Sequence, residues 1–173
     1  MKNNNTFIKE CIVKALVELM SEKEFKDITI TEITKKAGVS RMSYYRNYYK
    51  KEDILNNYMT EILEKYRNKR DMIINDNKES MYPLILHAFD FFKKYEDFVI
   101  TLEKSNLSNI IQNKINDYIF TFYPGNSNDT SSKYSLYILS GALYNSCKIW
   151  LMSGSKESPE ELAKIFVNRL FRE

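Results

Sequence analysis

Six cations, Lys35, Lys36, Arg41, Arg46, Lys50 and Lys51, fall between Ile33 and Lys51 with no acidic residue among them. Cations neutralise phosphates, and hydroxyls and amides donate to phosphate oxygens or base edges, so the chemistry open to this stretch is recognition of a polyanion. Arg41 carries the planar fork that can pair bidentately with guanine, Met42 suits a thymine methyl, and Ser43 can donate to a base or a phosphate. Tyr45, Asn47, Lys50 and Lys51 suit phosphates, which position a protein without specifying sequence; Arg46 lies on or beside the outward face with the plausible readers, and Lys35 is a further DNA-binding candidate. The overall charge of +3, from 26 basic and 23 acidic residues, would not by itself suggest such a partner. Its distribution does: residues 1–56 hold 11 basic and 8 acidic side chains, whereas residues 57–173 hold 15 of each.

A segment of this kind needs elements that present it. Apolar positions Phe7, Ile8, Ile12, Ala15, Leu16, Leu19 and Met20 recur at three- and four-residue spacing, which predicts a first helix ending near Ser21, with Phe25 and Ile28 anchoring the loop that follows. Thr29 and Glu32 have the spacing of a capping box and open a second, short helix carrying Ile30, Ile33 and Ala37 inward. Gly38 stops that helix, Val39 plugs the turn, and Ser40 caps a third helix from about Arg41 to Tyr48 with Tyr44 and Tyr48 on its inner stripe. Two short helices joined by a glycine turn make a helix-turn-helix, whose second helix enters a major groove.

The remainder reads as helical throughout, because Gly (4) and Pro (3) are scarce while Leu, Ile, Lys and Glu abound. A long helix is expected from about Lys51 to Asn75, spanning roughly 37 Å. Asp76 to Ser80 reads as a connection, followed by helices at about Met81–Lys94, Phe98–Lys104 and Leu107–Tyr123. The run from Pro124 to Ser132 is the clearest loop, and two last helices follow at about Lys133–Ser153 and Pro159–Phe171, the second capped by Ser158. The fold class is therefore all-α, about nine helices, divided into a DNA-binding unit at 1–50 and a larger helical unit at 51–173, of which 51–75 is the connecting helix. Aromatic or apolar positions on its presumed inner faces, Tyr58, Ile62, Tyr66, Phe89, Phe92, Phe98, Tyr137 and Tyr144, are candidates to line a ligand pocket. His87, the one histidine, lies in the same region.

Several function classes lose support. Cys11 and Cys147 have no partners at metal-ligand spacing, and a lone histidine cannot complete a metal site, so no metal and no cofactor are expected. No apolar run reaches the roughly 18 residues that span a bilayer, and residues 1–7 do not resemble a secretory signal, so a cytoplasmic protein without membrane contact is expected. No phosphate loop, catalytic triad order or paired-carboxylate motif supports an enzyme.

The run Gly38 to Leu55, GVSRMSYYRNYYKKEDIL, resembles the recognition segment of the TetR family of bacterial transcriptional regulators, and the match extends upstream through ITITEITKKAGVS. It covers about Ile12 to Leu55, and beyond that a tail of Gly141, Trp150, Gly154 and Ser158-Pro159-Glu160-Glu161 is similar to one branch of the family. The resemblance implies that Ser43, Tyr45, Asn47 and Lys51 touch DNA and that Thr29 approaches a phosphate. This chain departs from the family pattern by having Glu24 where glycine is common and Tyr48 where phenylalanine is usual. The resemblance further implies a homodimer built on the last two helices, with Gly141 and Ala142 permitting close approach and Trp150, Phe166 and Leu170 at the interface. Such a dimer would bind a pseudo-palindromic operator in double-stranded DNA as a repressor released by a small-molecule effector. The alternative is an activator or co-regulator of the same fold acting mainly through a protein partner.

Overall fold

The structure, a computed structural model, describes residues 4–76, 80–122 and 130–171. All regular structure among these residues is helical, in agreement with the all-α reading: α1 (Asn4–Glu22), a 3-10 turn (Phe25–Asp27), α2 (Ile30–Ala37), α3 (Arg41–Tyr45), α4 (Lys51–Asp76), α5 (Tyr82–Lys94), α6 (Glu96–Lys104), α7 (Ser108–Phe122), α8 (Thr130–Met152) and α9 (Pro159–Leu170). Most of the expected connection at 76–80 and of the expected loop at 124–132 lies outside the described residues. Where that loop is described, at Thr130 to Ser132, it already forms the first turn of α8.

Local chemistry explains the ends of the short helices. Thr29 Oγ1 accepts from Glu32 N–H at 3.3 Å while the Glu32 carboxylate accepts from Thr29 N–H at 2.9 Å, completing the capping box. Gly38 closes α2 at φ 66°, in the left-handed region that glycine enters without steric cost, and the Val39 amide reaches back to the Thr34 carbonyl at 3.0 Å. Glu24 sits in extended backbone at φ −61° and ψ 137°, so the bend after α1 needs no glycine. α3 is shorter than the spacing predicts. It ends at Tyr45 because the following residues close a turn, and the Asn47 side-chain amide donates to the Ser43 carbonyl at 2.9 Å, taking an acceptor that a continuing helix would use.

One contiguous apolar core runs from Ile12 in α1 to Val167 in α9. Tyr44, Tyr48, Ile54 and Leu55 belong to it, so the turn after α3 and the first turns of α4 are locked by the same packing that holds α1. At the other end, Phe89 of α5 is fully buried and meets Trp150 and Phe166 edge-on, at centroid separations of 5.8 and 6.0 Å. Polar groups then fix how the helices register: Ser140 of α8 is fully buried, donates to Asn116 of α7 and accepts from Gln112 at 3.2 Å.

Candidate nucleic-acid interface and ligand cavity

Burying Tyr44 and Tyr48 decides what α3 shows to solvent. Their rings lie 5.9 Å apart within the core, and the Tyr44 hydroxyl has no hydrogen-bond partner there. Desolvation pushes the Tyr44 phenol up to about 12 and raises that of Tyr48 as well, so both stay neutral core residues. The opposite face carries Arg41, Met42 (74% exposed), Tyr45 (52% exposed) and Arg46. Thr29 and Lys35 of α2 and Lys50 beyond α3 are also exposed. Lys35, Arg46 and Lys50 pair with no carboxylate among the described residues, which leaves their charge available to an external anion.

Other residues of the set are engaged inside the head. Arg41 Nη2 donates to Thr31 Oγ1 at 2.5 Å, which aims the guanidinium along the α2–α3 surface. Ser43 and Asn47 are half-buried: Ser43 N–H donates to the Ser40 hydroxyl at 3.0 Å, and Asn47 spends one amide proton on Ser43. Lys36 turns back to Glu22 of α1 at 2.7 Å, a hydrogen bond that raises its pKa. Lys51 departs most from the expectation of a phosphate contact, since its ammonium donates to the carbonyls of Phe25, Lys26 and Ile28. Tyr49, which composition and spacing did not single out, is 90% exposed beside Lys50.

A small cavity of about 50 Å3 lies among α4, α5, α7 and α8. Its walls are apolar side chains, among them Leu63, Ile85, Ala88, Ile115, Ile119 and Leu143, with the rings of Tyr66 and Tyr118. Of the positions expected to line a pocket, the structure brings Tyr66 and Phe92 to this cavity. The others lie elsewhere. Ile62 and Phe89 are core, Tyr58 packs edge-on against Phe98 at 4.9 Å, Tyr137 lies against Phe120, and Tyr144 donates to Glu103 at 2.6 Å. His87 is not a wall of the cavity; its ring stacks on Tyr66 at 4.5 Å and Nε2 meets the Tyr66 carbonyl at 3.1 Å. Burial lowers its pKa, so the imidazole is neutral. A second cleft, between α4 and α7, shares Leu63 and Tyr118 with the cavity and adds two cations, Arg67 and Lys114, and two acids, Glu64 and Asp117.

On α8 and α9 the expected interface positions divide. Trp150 and Phe166 are buried within the chain, the indole N–H donating to the Glu157 carbonyl at 3.0 Å, so both serve the core around Phe89. Gly141 and Ala142 are half-buried and Leu170 is exposed. Ile138, Ile149, Met152 and Ile165 are exposed as well, and the sequence reading missed them. Among the described residues no group of His, Cys, Asp and Glu could hold a metal ion, and no helix is long and apolar enough to cross a membrane.

The family described as bacterial regulatory proteins, tetR family, matches residues 12–58, and a transcriptional regulator C-terminal region of the same family matches residues 79–171. The chain belongs to the TetR family. It is a transcriptional regulator of that helix-turn-helix class. A relative in Bacillus subtilis (strain 168), the uncharacterized HTH-type transcriptional regulator YerO, is 29% identical over 104 residues; these are 57% of this chain and 36% of YerO. Similar solved structures include NalD of Pseudomonas aeruginosa, the secondary repressor of the MexAB-OprM multidrug efflux pump, with a TM-score of 0.68 and 16% identity over 98% of this chain and 96% of NalD. FadR of Bacillus subtilis in complex with stearoyl-CoA has a TM-score of 0.63 and 16% identity over 93% of this chain and 96% of FadR. At these identities the TetR-family structures share the fold with this chain.

Proposed function

We propose that this TetR-family regulator is a homodimeric repressor whose α3 reads a two-fold operator and whose cavity takes an apolar effector that releases the DNA. The observation that carries the reading is the division of α3 into a buried tyrosine face and an exposed Arg41, Met42, Tyr45 and Arg46 face, flanked by unpaired cations. In this reading Arg41 and Met42 meet base edges, while Thr29, Lys35, Tyr45, Arg46 and Lys50 meet phosphates. Residues 1–50 act as the reading head and 51–173 as the effector and dimerisation body.

Dimerisation is supported by the stripe Ile138, Ala142, Asn145, Ile149 and Met152 along α8, which repeats at three- and four-residue spacing as helix-packing seams do. Ile149 is 69% exposed, an unusual place for isoleucine unless a second copy covers it. A two-fold pair would set the reading helices about 34 to 36 Å apart, one turn of duplex. The cavity's apolar walls favour a hydrocarbon group, and seating a chain as long as the one in the stearoyl-CoA complex of FadR would require α4, α5, α7 and α8 to part. Because α4 both walls the cavity and begins beside the head, a ligand that prefers one position of α4 shifts DNA affinity by roughly 5- to 150-fold.

Selection of bound duplex from a random pool, followed by sedimentation of the complex, tests the reading. A two-fold symmetric site occupied by two chains is expected. A pool that stays random, or a single chain on an asymmetric site, contradicts it.

A further inference from the structure

Lys51 is the first residue of α4, and three backbone carbonyls converge on its ammonium: Phe25 at 2.5 Å, Lys26 at 2.9 Å and Ile28 at 2.9 Å. Its three N–H donors are thus matched by three acceptors within the protein. Its Nζ also lies 4.6 Å from the centroid of the Phe25 ring. The Phe25 carbonyl also accepts from the Ile28 N–H at 3.2 Å, so Lys51 adds a second donor there and ties the 3-10 turn to the first turn of α4. A compact ammonium suits acceptors gathered around a point, whereas the planar fork of arginine suits acceptors in a plane.

The contact continues toward the reading helices. Lys23 Nζ donates to the Asp27 carbonyl at 3.0 Å and to the Glu32 carboxylate at 2.6 Å, and that carboxylate accepts from Thr29 at the N-cap of α2. A run of charge-assisted bonds therefore joins the start of α4, through the 25–28 turn, to the start of α2. Lys50, one residue earlier, has the other arrangement: it is exposed and pairs with no carboxylate among the described residues.

We infer that Lys51 is a positioning residue, a pin that holds the α2–α3 pair on the first turn of the connecting helix, rather than a contact to operator phosphate. The inference rests on the DNA-reading role proposed for α3. It assigns adjacent lysines opposite tasks, Lys50 to the duplex and Lys51 to the protein. It also makes residues 25–28 the place where movement of α4 passes to the head.

The test uses the full chain and three variants. Lys51→Met keeps an apolar stem over Phe25 but removes the donors, Lys51→Arg keeps the charge, and Lys50→Met removes the neighbouring cation. Amide exchange is followed by mass spectrometry, and affinity is measured between 50 and 200 mM salt for a duplex that the wild type selects from a random pool. Circular dichroism verifies that each variant is folded at the working temperature. Exchange over residues 25–45 is expected to quicken by about tenfold or more in Lys51→Met while α5 and α9 stay as in the wild type. Affinity is expected to fall by about tenfold in both Lys51 variants with the slope of log K against log salt within about half a unit of the wild type. Lys50→Met should make the slope shallower by about 0.9.

A slope in Lys51→Met as shallow as in Lys50→Met, full affinity in Lys51→Arg, or unchanged exchange in the head would overturn the inference. Should Lys51→Met fail to fold, Lys51→Arg carries both measurements. A wild type that binds no duplex would refute the DNA-reading role instead, and the exchange measurement would still decide whether Lys51 is the pin.

Discussion

The reading head and the cavity are held by different forces. Around α2 and α3 nearly every turn ends on a hydrogen bond from a named side chain: Thr29 and Glu32 at one cap, Ser40 at the next, Lys51 and Lys23 on the turn before them. Around the cavity the contacts are apolar, and α4, α5, α7 and α8 meet there through aliphatic chains and the Tyr66 and Tyr118 rings. Directional bonds fix orientation, which a helix that reads base edges requires. Non-directional packing tolerates repacking, as the proposed movement of these helices around an effector would require.

The contrast between head and body is largest at Phe89. If the body depends on packing, Phe89→Ala should cost about 3 to 5 kcal/mol, a large share of the roughly 5 to 15 kcal/mol that stabilises a domain, as read by denaturant unfolding. In the head, Arg41→Ala should leave stability nearly unchanged yet remove about 1 to 3 kcal/mol of discrimination at one operator position, as read by titrating single-base variants of the selected duplex. Ala88→Leu places extra carbons in the cavity. If the proposed effector site is real and stearoyl-CoA serves as the probe, this variant should weaken any calorimetrically detected binding by about tenfold or more relative to the wild type. Thr29→Ala should cost about 1 kcal/mol through loss of the α2 cap, measured by denaturant unfolding.

The smallest effect expected is a pH dependence. The Lys23 ammonium, followed by the Thr29 amide and hydroxyl, holds the Glu32 carboxyl down at about 2 from its ordinary 4.5. A depressed acid stabilises the fold above its unfolded pKa and loses that contribution as pH falls through the folded one. Stability from this group is therefore present above pH 4.5 and lost toward pH 2, and Glu32→Gln should flatten unfolding curves within that window.

Much of the head was legible because its signals are local. Thr29 with Glu32, Gly38 and Ser40 lie within a few residues of the groups they cap, so type and spacing sufficed. Tyr44 and Tyr48 were placed inward by their four-residue interval, and the fold class followed from composition. The hydrogen bonds of Lys51 were not legible, because its partners are backbone carbonyls about 25 residues away and carbonyls leave no mark in a sequence. The cavity was half read for a related reason. Helical periodicity shows that Tyr58, Phe89 and Tyr66 face inward but not which neighbour each meets, and it gave no cause to prefer Ile115, Tyr118 and Ile119 of α7. Trp150 and Phe166, expected at a dimer seam, pack within the chain against Phe89, while Ile149 and Ile165 hold the exposed face of the same helices.

The outward face of α3 carries the proposed DNA reading, and a double variant tests it most directly. Anisotropy titrations of the wild type and of Arg41→Ala/Tyr45→Ala against the selected duplex and a scrambled one, at moderate salt, compare specific with non-specific binding. The wild type should prefer the selected duplex by about 1,000-fold or more, and the folded double variant should bind both duplexes almost equally. A double variant that keeps the wild-type preference would show that another surface reads the DNA.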